Sequence, residues 1–239
     1  MKTLTISLYN REEYSKRLLF SLNECRGIDD YNITICCEPG FKAIEELAKE
    51  FRPNQTEVIV NSRRYGCNTN IYQCLAIGFS KNDYHIHFED DTIPGKDCLK
   101  YFEWAKEQYR DNQKVFTISG YVNSNNKTEH YYPINKNINT VFYRQWFTPW
   151  GWATWKDRFS EMESAWDFQG ANGSWDATIS HTVRKDRYEI VPTVSRIQNI
   201  GADMGTHVPN KEWHEIHHYN DYWIEKLNNY TDNFEEINE

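Results

Sequence analysis

The run Tyr84-His85-Ile86-His87-Phe88-Glu89-Asp90-Asp91-Thr92-Ile93-Pro94 decides how the rest of the chain is read. It begins as an alternating, aromatic-rich segment suited to a buried strand. It then delivers three consecutive carboxylates and stops at a proline. In an α/β sheet, ligands bind outside the carboxyl ends of the strands. Three acids side by side repel one another and destabilise the fold unless a cation or hydrogen-bond donors compensate. Hard carboxylate oxygens suit Mg²⁺ or Mn²⁺, ions that reach a protein through one or two carboxylates plus substrate phosphates. The stretch points to a divalent cation holding a nucleoside diphosphate. The plainer alternative is a solvated acidic turn.

Strand–helix alternation surrounds it. Leu4 to Leu8 reads as a strand with Asn10-Arg11 at its end, and the next helix carries Tyr14, Leu18 and Leu22 on one face. Ile33 to Cys37 is a second strand, closed by Glu38-Pro39-Gly40, and its helix turns Ala43, Ile44, Leu47, Ala48 and Phe51 inward. Val58 to Val60 is a third strand. The Arg63-Arg64-Tyr65-Gly66 turn, read as solvated, leads into a helix that buries Ile71, Cys74, Leu75 and Gly78. After the acidic strand comes a helix with Cys98, Phe102, Ala105 and Tyr109 in one stripe. Four such repeats predict an α/β fold with a mostly parallel central sheet flanked by helices.

The second half changes character. Val115 to Gly120 and Val141 to Arg144 read as strands, separated by an aperiodic Asn-rich loop from Asn123 to Asn139. Phe147 to Trp155 is expected to enter a helix running to about Phe159. Gly173 to Asp176 opens another helix through Arg184, with Ser174 and Asp176 suited to its first turn. Tyr188 to Val191 is a strand, followed by turns at Asn199-Ile200-Gly201 and Gly205-Thr206-His207. Asp232 to Glu239 is acidic and expected to fray.

The 239 residues show no internal repeat or linker, so a single domain over 1–239 is expected. Aromatic residues make up 15% of the chain against a mean hydropathy of -0.83, which fits a wet, aromatic-lined cleft or a core of amphipathic rings. A net charge of -8 and a pI near 5.5 argue against a nucleic-acid partner. No apolar run approaches the ~20 residues that span a bilayer. The N-terminus reads as a strand, not a signal peptide. The six cysteines lack zinc-type spacing and read as reduced core residues of a cytoplasmic protein.

Several residues carry two readings. His85 and His87 are a possible metal pair, but their place inside a strand favours structural histidines with satisfied ring nitrogens. Asp176 is either a helix N-terminal acid or a catalytic carboxylate. His214-Glu215-Ile216-His217-His218 fits the H-E-x-x-H pattern of zinc peptidases, with His214 and His218 as ligands. No glycine-spaced third histidine follows, which favours a surface helix or tail near the cleft.

The ordered set of motifs resembles GT-A glycosyltransferases, specifically the N-acetylglucosaminyltransferase I family and its bacterial relatives, over roughly residues 3 to 208. Asn10-Arg11, Glu38, Gly66-Cys67, Glu89-Asp90-Asp91 with Pro94, and Ser119-Gly120 with Asn123 follow that family's order. So do Phe147-Thr148-Pro149-Trp150-Gly151-Trp152, Trp175-Asp176, Val194-Ser195-Arg196 and Gly205-Thr206-His207. The resemblance implies a nucleotide-sugar-binding half over 1–118 and an acceptor-binding half over 119–239. Asp91 would be the direct ligand of Mn²⁺ or Mg²⁺. Glu89 and Asp90 would bond the donor sugar and the ribose, and Asn10, Arg11 and Glu38 the nucleoside. Asp176 would be the general base for inverting transfer to a glycan hydroxyl. Trp175, Trp150, Gly151 and Trp152 would shape the sugar pockets. Thr206 would bond a phosphate oxygen, with His207 doing the same or approaching the metal. The donor implied is UDP-linked, with GlcNAc the family's sugar. The alternatives are a catalytically silent sugar-binding module and, behind it, the zinc peptidase.

Overall fold

The computed structural model describes residues 2–123, 137–170, 174–202, 208–220 and 222–237. Strands β1 (Lys2–Leu8), β2 (Tyr31–Cys37) and β3 (Thr56–Val60) alternate with helices α1 (Glu12–Asn23), α2 (Lys42–Glu50) and α3 (Cys67–Lys81). The acidic stretch contributes β4 (Tyr84–Glu89) and a short strand β5 (Thr92–Pro94), ahead of α4 (Cys98–Tyr109) and β6 (Val115–Ser119). The second half supplies β7 (Thr140–Arg144), β8 (Trp152–Trp155), α5 (Lys156–Ser164) and α6 (Trp175–Thr178), which runs into a π-helical turn, Ile179–Val183. β9 (Tyr188–Pro192), β10 (Ile197–Asn199), α7 (Lys211–His217), α8 (Ile224–Leu227) and β11 (Glu235–Glu236) complete it. The main sheet has the order β11-β7-β9-β6-β8-β4-β1-β2-β3, and β5 pairs separately with β10. Strands β3, β2, β1 and β4 are mutually parallel, as the repeated alternation requires. No helix among the described residues is long and apolar enough to cross a membrane.

The helical stripes read from the sequence face this sheet. Leu18 and Leu22 of α1, Ile44 and Ala48 of α2, and Cys98, Phe102, Ala105 and Tyr109 of α4 are all buried. Removing such apolar side chains from water is the main force holding the layers together.

Two expectations are overturned. Trp152–Trp155 does not enter a helix; it is a fully buried strand inserted antiparallel between β4 and β6. Gly151 turns the chain into it at φ +67, a conformation glycine adopts without steric penalty. The Trp-Ala-Thr-Trp sequence suits a strand buried on both faces, and Thr154 donates to the Phe116 carbonyl at 2.6 Å. The helix begins only at Lys156. The acidic tail is a second correction. Phe234 is 8% exposed in the core, and Glu235–Glu236 pairs in parallel with β7. Apolar anchoring outweighs the charge that suggested fraying.

His85 and His87 are structural. The β1–β4 register sets Thr5 beside His87. Thr3 Oγ1 lies 3.0 Å from His85 Nδ1, and Thr5 Oγ1 lies 2.8 Å from His85 Nε2 and 2.9 Å from His87 Nδ1. Ser7 Oγ lies 3.4 Å from His87 Nε2. Each hydroxyl can donate or accept, so both ring nitrogens of a neutral imidazole find partners. Burial holds His85 well below its ordinary value and His87 down to about 3. Between that value and the ordinary one near 6.5, the unfolded chain binds protons that the folded chain does not. The histidines' stabilising contribution is therefore complete above the ordinary value and is lost as pH falls below it. We expect urea unfolding to show a shallower fall in stability with acidification for His87→Gln than for the wild type, by up to about 1.4 kcal/mol per pH unit. Equal slopes would show that His87 is not buried neutral.

Candidate functional site

The register that pairs Ser7 with Glu89 brings the ends of β1 and β4 out along one edge of the sheet. Asn10, Arg11, Glu89, Asp90 and Asp91 there line a cleft of ≈ 870 Å³. Glu38 past β2 and the start of α3 add to it. Asp176, Trp150 and α7 contribute from the second half of the chain. Asp91 and Asp176 thus open onto the same hollow.

Arg11 balances the acidic tip. Its Nε donates to Asp90 Oδ2 at 3.2 Å, Nη2 donates to Asp90 Oδ1, and Nη1 donates to Asp91 Oδ2 at 3.1 Å. A planar fork on two carboxylates is the geometry that arginine supplies and lysine does not. Burial still pushes Asp90 up to about 6 against the pull of Arg11. Glu89 is raised well above the ordinary carboxylate range, first by burial and then by Asp91, Asp90 and Asp176. The charge of Asp176 is therefore felt at the tip of β4.

The surroundings of Asp91 fit a cation. The β5–β10 pairing carries Asn199 and Gly201 to it, and the Ile200 amide donates to the Asp91 carbonyl at 2.8 Å. A Cβ on residue 201 would sit 2.6 Å from Asp91 Oδ2, so a larger residue there would push the carboxylate from this position. Asp91 Oδ1 is buried and has no hydrogen-bond partner among the described residues. Buried carboxylate oxygens are ordinarily satisfied, and a hard oxygen left open suits a hard divalent ion. Among the described residues no cluster of three or more metal-ligating side chains forms a ready-made cage. The donor set fits an ion that shares its shell with a substrate.

Asp176 stands in the first turn of α6, where Ser174 Oγ caps the helix by accepting from the Ala177 amide at 3.4 Å. Trp175 lines the cleft but is 3% exposed, its ring stacked 4.8 Å from Trp166. It anchors the turn that presents Asp176. Glu38 is likewise committed: its carboxylate accepts from the Tyr65 amide at 2.9 and 3.0 Å and from the Gly66 amide at 2.6 Å. It braces the turn before α3 instead of offering a free face to a base.

Of the sugar-pocket residues expected from the sequence, Trp150 lines the cleft. Trp152, 1% exposed, packs in the core against Phe147 at 4.9 Å, and Gly151 serves the turn into β8. Those two shape no pocket wall. Arg196 is also internal, its Nη1 donating to the Val194 carbonyl at 2.5 Å and its Nε 3.4 Å from Asp97. Thr206 and His207 lie outside the described residues.

The H-E-x-x-H motif does not assemble a zinc site. His214 is buried with Nε2 2.8 Å from Asn199 Oδ1, while Glu215 is exposed and lies 3.9 Å from Lys211. Helix α7 and its C-terminal cap instead bring Trp213, His217 and His218 to the cleft. Sequence reading also missed Tyr9, over which the Arg64 guanidinium sits at 4.7 Å, and both line the cleft. Five cysteines are buried, but Cys67 is exposed at the start of α3 and lines the cleft.

No family model matches the chain, and no curated protein matches its sequence. Its fold is similar to solved structures. One is S. aureus TarS 1–349, with a TM-score of 0.60 at 10% identity over 82% of this chain and 59% of that one. The same protein in complex with UDP aligns with a TM-score of 0.60 at 11% identity over 82% and 59%. The mannosyltransferase PcManGT from Pyrobaculum calidifontis, in complex with GDP-Man and Mn²⁺, aligns with a TM-score of 0.54 at 12% identity over 81% and 57%. This chain therefore spans under two thirds of the length of those proteins. What it holds in common with them is the GT-A fold: a mixed α/β domain with a mostly parallel central sheet flanked by helices.

The two tryptophans on either side of Gly151 should separate by readout. Trp152→Ala is expected to cost about 3–5 kcal/mol of stability in urea unfolding. Trp150→Ala, at a half-buried cleft position, should cost less than half of that. Equal losses would show that Trp150 is core as well.

Proposed function

We propose that this chain is a metal-dependent glycosyltransferase that moves a sugar from a nucleoside-diphosphate sugar to a hydroxyl of a glycan acceptor, with inversion. One observation supports the reading above the others: Asp91, with an oxygen unpartnered among the described residues, and Asp176 line the same cleft at the carboxyl edge of a GT-A sheet. A UDP complex and a GDP-Man and Mn²⁺ complex among the structural neighbours favour a nucleotide-sugar donor and a divalent ion. We take the donor to be UDP-linked, with UDP-GlcNAc the first to test. Six unpaired cysteines suit a reducing, cytoplasmic setting.

Asp91 would hold Mn²⁺ or Mg²⁺ through Oδ1, where the ion would offset the negative charge that builds on the departing diphosphate. Arg11, already pre-formed as a fork at the acidic tip, meets the nucleotide together with Asn10. Glu38 keeps the neighbouring turn in place for it. Glu89 and Asp90 orient the donor sugar and the ribose. The Asp176 carboxylate takes the proton of the acceptor hydroxyl as that oxygen bonds to the anomeric carbon. The bond from that carbon to the diphosphate oxygen breaks, and its electron pair leaves with the nucleoside diphosphate. Direct attack by the acceptor oxygen makes a single displacement, hence inversion.

Two variants test the division of labour. Thermal shift with UDP and Mn²⁺ should lose its metal-dependent part in Asp91→Asn and keep it in Asp176→Asn, since a ligand that binds only the folded chain raises its stability. Donor turnover, including slow hydrolysis of UDP-GlcNAc, should fall about 10²–10⁴-fold in Asp176→Asn. Undiminished turnover in either variant would sink the assignment. A wild type that binds nucleotide but never releases UDP would be a silent sugar-binding module instead.

A further inference from the structure

One end of the cleft is lined by rings that the donor chemistry leaves without a task. Trp146 is 48% exposed and meets the His181 ring edge-on at 5.8 Å. Four residues on, Trp150 packs 4.4 Å from His218. Trp213 lies 4.6 Å from His217 and 4.7 Å from His218. The rim thus joins the loop after β7, the π-helical turn after α6, and α7.

This rim is held from behind by buried polar contacts. Arg144 Nη2 lies 2.6 Å from Glu189 Oε2, and the Thr148 amide donates to Glu189 Oε1 at 2.8 Å, which fixes the loop bearing Trp146 and Trp150. The Tyr121 hydroxyl donates to the His218 carbonyl at 2.6 Å, and the Asn123 amide donates to the His217 carbonyl. The last carbonyls of α7, which a helix leaves open, are taken up in this way. Half-exposed rings on a rigid backing form a platform, not a core.

A second observation points to a ligand. Ser180 is 4% exposed and lines the cleft, and its Oγ has no hydrogen-bond partner among the described residues. It follows Asp176 by four residues, across a π-helical turn of the kind often found at functional sites. The charges narrow the ligand further. The arginines among the described lining residues are Arg11, Arg64 and Arg144. Arg11 is held by Asp90 and Asp91, Arg144 by Glu189, and Arg64 lies over Tyr9 past β1.

We propose that this rim is the acceptor subsite and that it takes an uncharged pyranose. The ring's C–H face lies on Trp213 and Trp150, and one of its hydroxyls reaches Ser180 Oγ and the Asp176 carboxylate. The subsite rests on the glycosyltransferase reading, because an acceptor presupposes a donor. Burial and the neighbouring His214 and His217 lower His218 to about 4, so its imidazole is neutral above that and can donate to or accept from sugar hydroxyls.

The test uses the full chain with UDP and Mn²⁺. Methyl β-D-glucoside, methyl β-D-galactoside, methyl β-D-N-acetylglucosaminide and the anionic methyl β-D-glucuronide are titrated against intrinsic tryptophan fluorescence. Thermal shift with UDP and Mn²⁺ alone is read in parallel. At least one neutral glycoside should saturate the signal, with the glucuronide about tenfold weaker or more. Trp213→Ala should weaken the neutral glycoside by about tenfold, with Trp213→Phe recovering part of the loss, and Ser180→Ala should weaken it by a smaller factor. The nucleotide shift should persist in these variants. An intact nucleotide shift with no neutral glycoside bound, with binding indifferent to Trp213, or with the glucuronide preferred would overturn the subsite and leave the glycosyltransferase reading standing. Neutral-glycoside binding lost on Trp213→Ala with no nucleotide shift in any variant would support the rim and overturn that reading. Absence of both signals would overturn both.

Discussion

Mutual repulsion among Glu89, Asp90 and Asp91 is the constraint around which the site is built. Three carboxylates gathered at a strand end, with Asp90 almost fully buried, are unfavourable unless positive charge meets them. Arg11 supplies part of that charge from the end of the adjacent parallel strand. Backbone pairing keeps the two strands adjacent, and hydroxyls of β1 and imidazoles of β4 satisfy one another across it. Neutral histidines inside the sheet and acids just beyond it are two results of the same register. Arg11 leaves one oxygen of Asp91 unpartnered among the described residues, and the absence of a side chain at Gly201 keeps the approach close.

The second half of the chain answers the first by presenting side chains across the same hollow. Inserting β8 antiparallel between β4 and β6 joins the two halves into one sheet and places the 146–150 loop at the cleft. The buried Arg144–Glu189 pair fixes that loop. Such a pair is weak evidence for stability, and its value here lies in the geometry it imposes. Trp175, stacked on Trp166, carries Asp176 into the cleft in the same manner: a buried ring anchors a half-buried carboxylate.

Much of this was legible in the sequence because it rests on local periodicity. The first four strands and their helices follow from apolar stripes that burial alone explains, and the acidic tip with Arg11 follows from charge placed at strand ends. What was hidden depends on distant pairing. Trp152–Trp155 has no period that separates a buried strand from a helix start, so only its partners β4 and β6 decide it. β10 is three residues long and is defined by β5, which lies about a hundred residues earlier in the chain. Glu38 carries no sign in the sequence that backbone amides will occupy its carboxylate. The His214 to His218 run shows the opposite failure. Its pattern suggested zinc, whereas Asn199 claims His214 and the remaining rings face the cleft.

Arg11, Asp91 and Asp176 are thus placed by three different means: strand register, an antiparallel pairing of two short strands, and a capped turn anchored by tryptophan. On the proposed reading, a divalent ion joins them at Asp91. Anomalous X-ray scattering at the manganese edge, from crystals grown with UDP and Mn²⁺, tests it most directly. The predicted result is a strong peak bonded to Asp91 Oδ1, with the diphosphate against it and the Asp176 carboxylate facing the same hollow. A peak ligated elsewhere, or nucleotide bound outside the cleft, would contradict a cation held at the tip of β4.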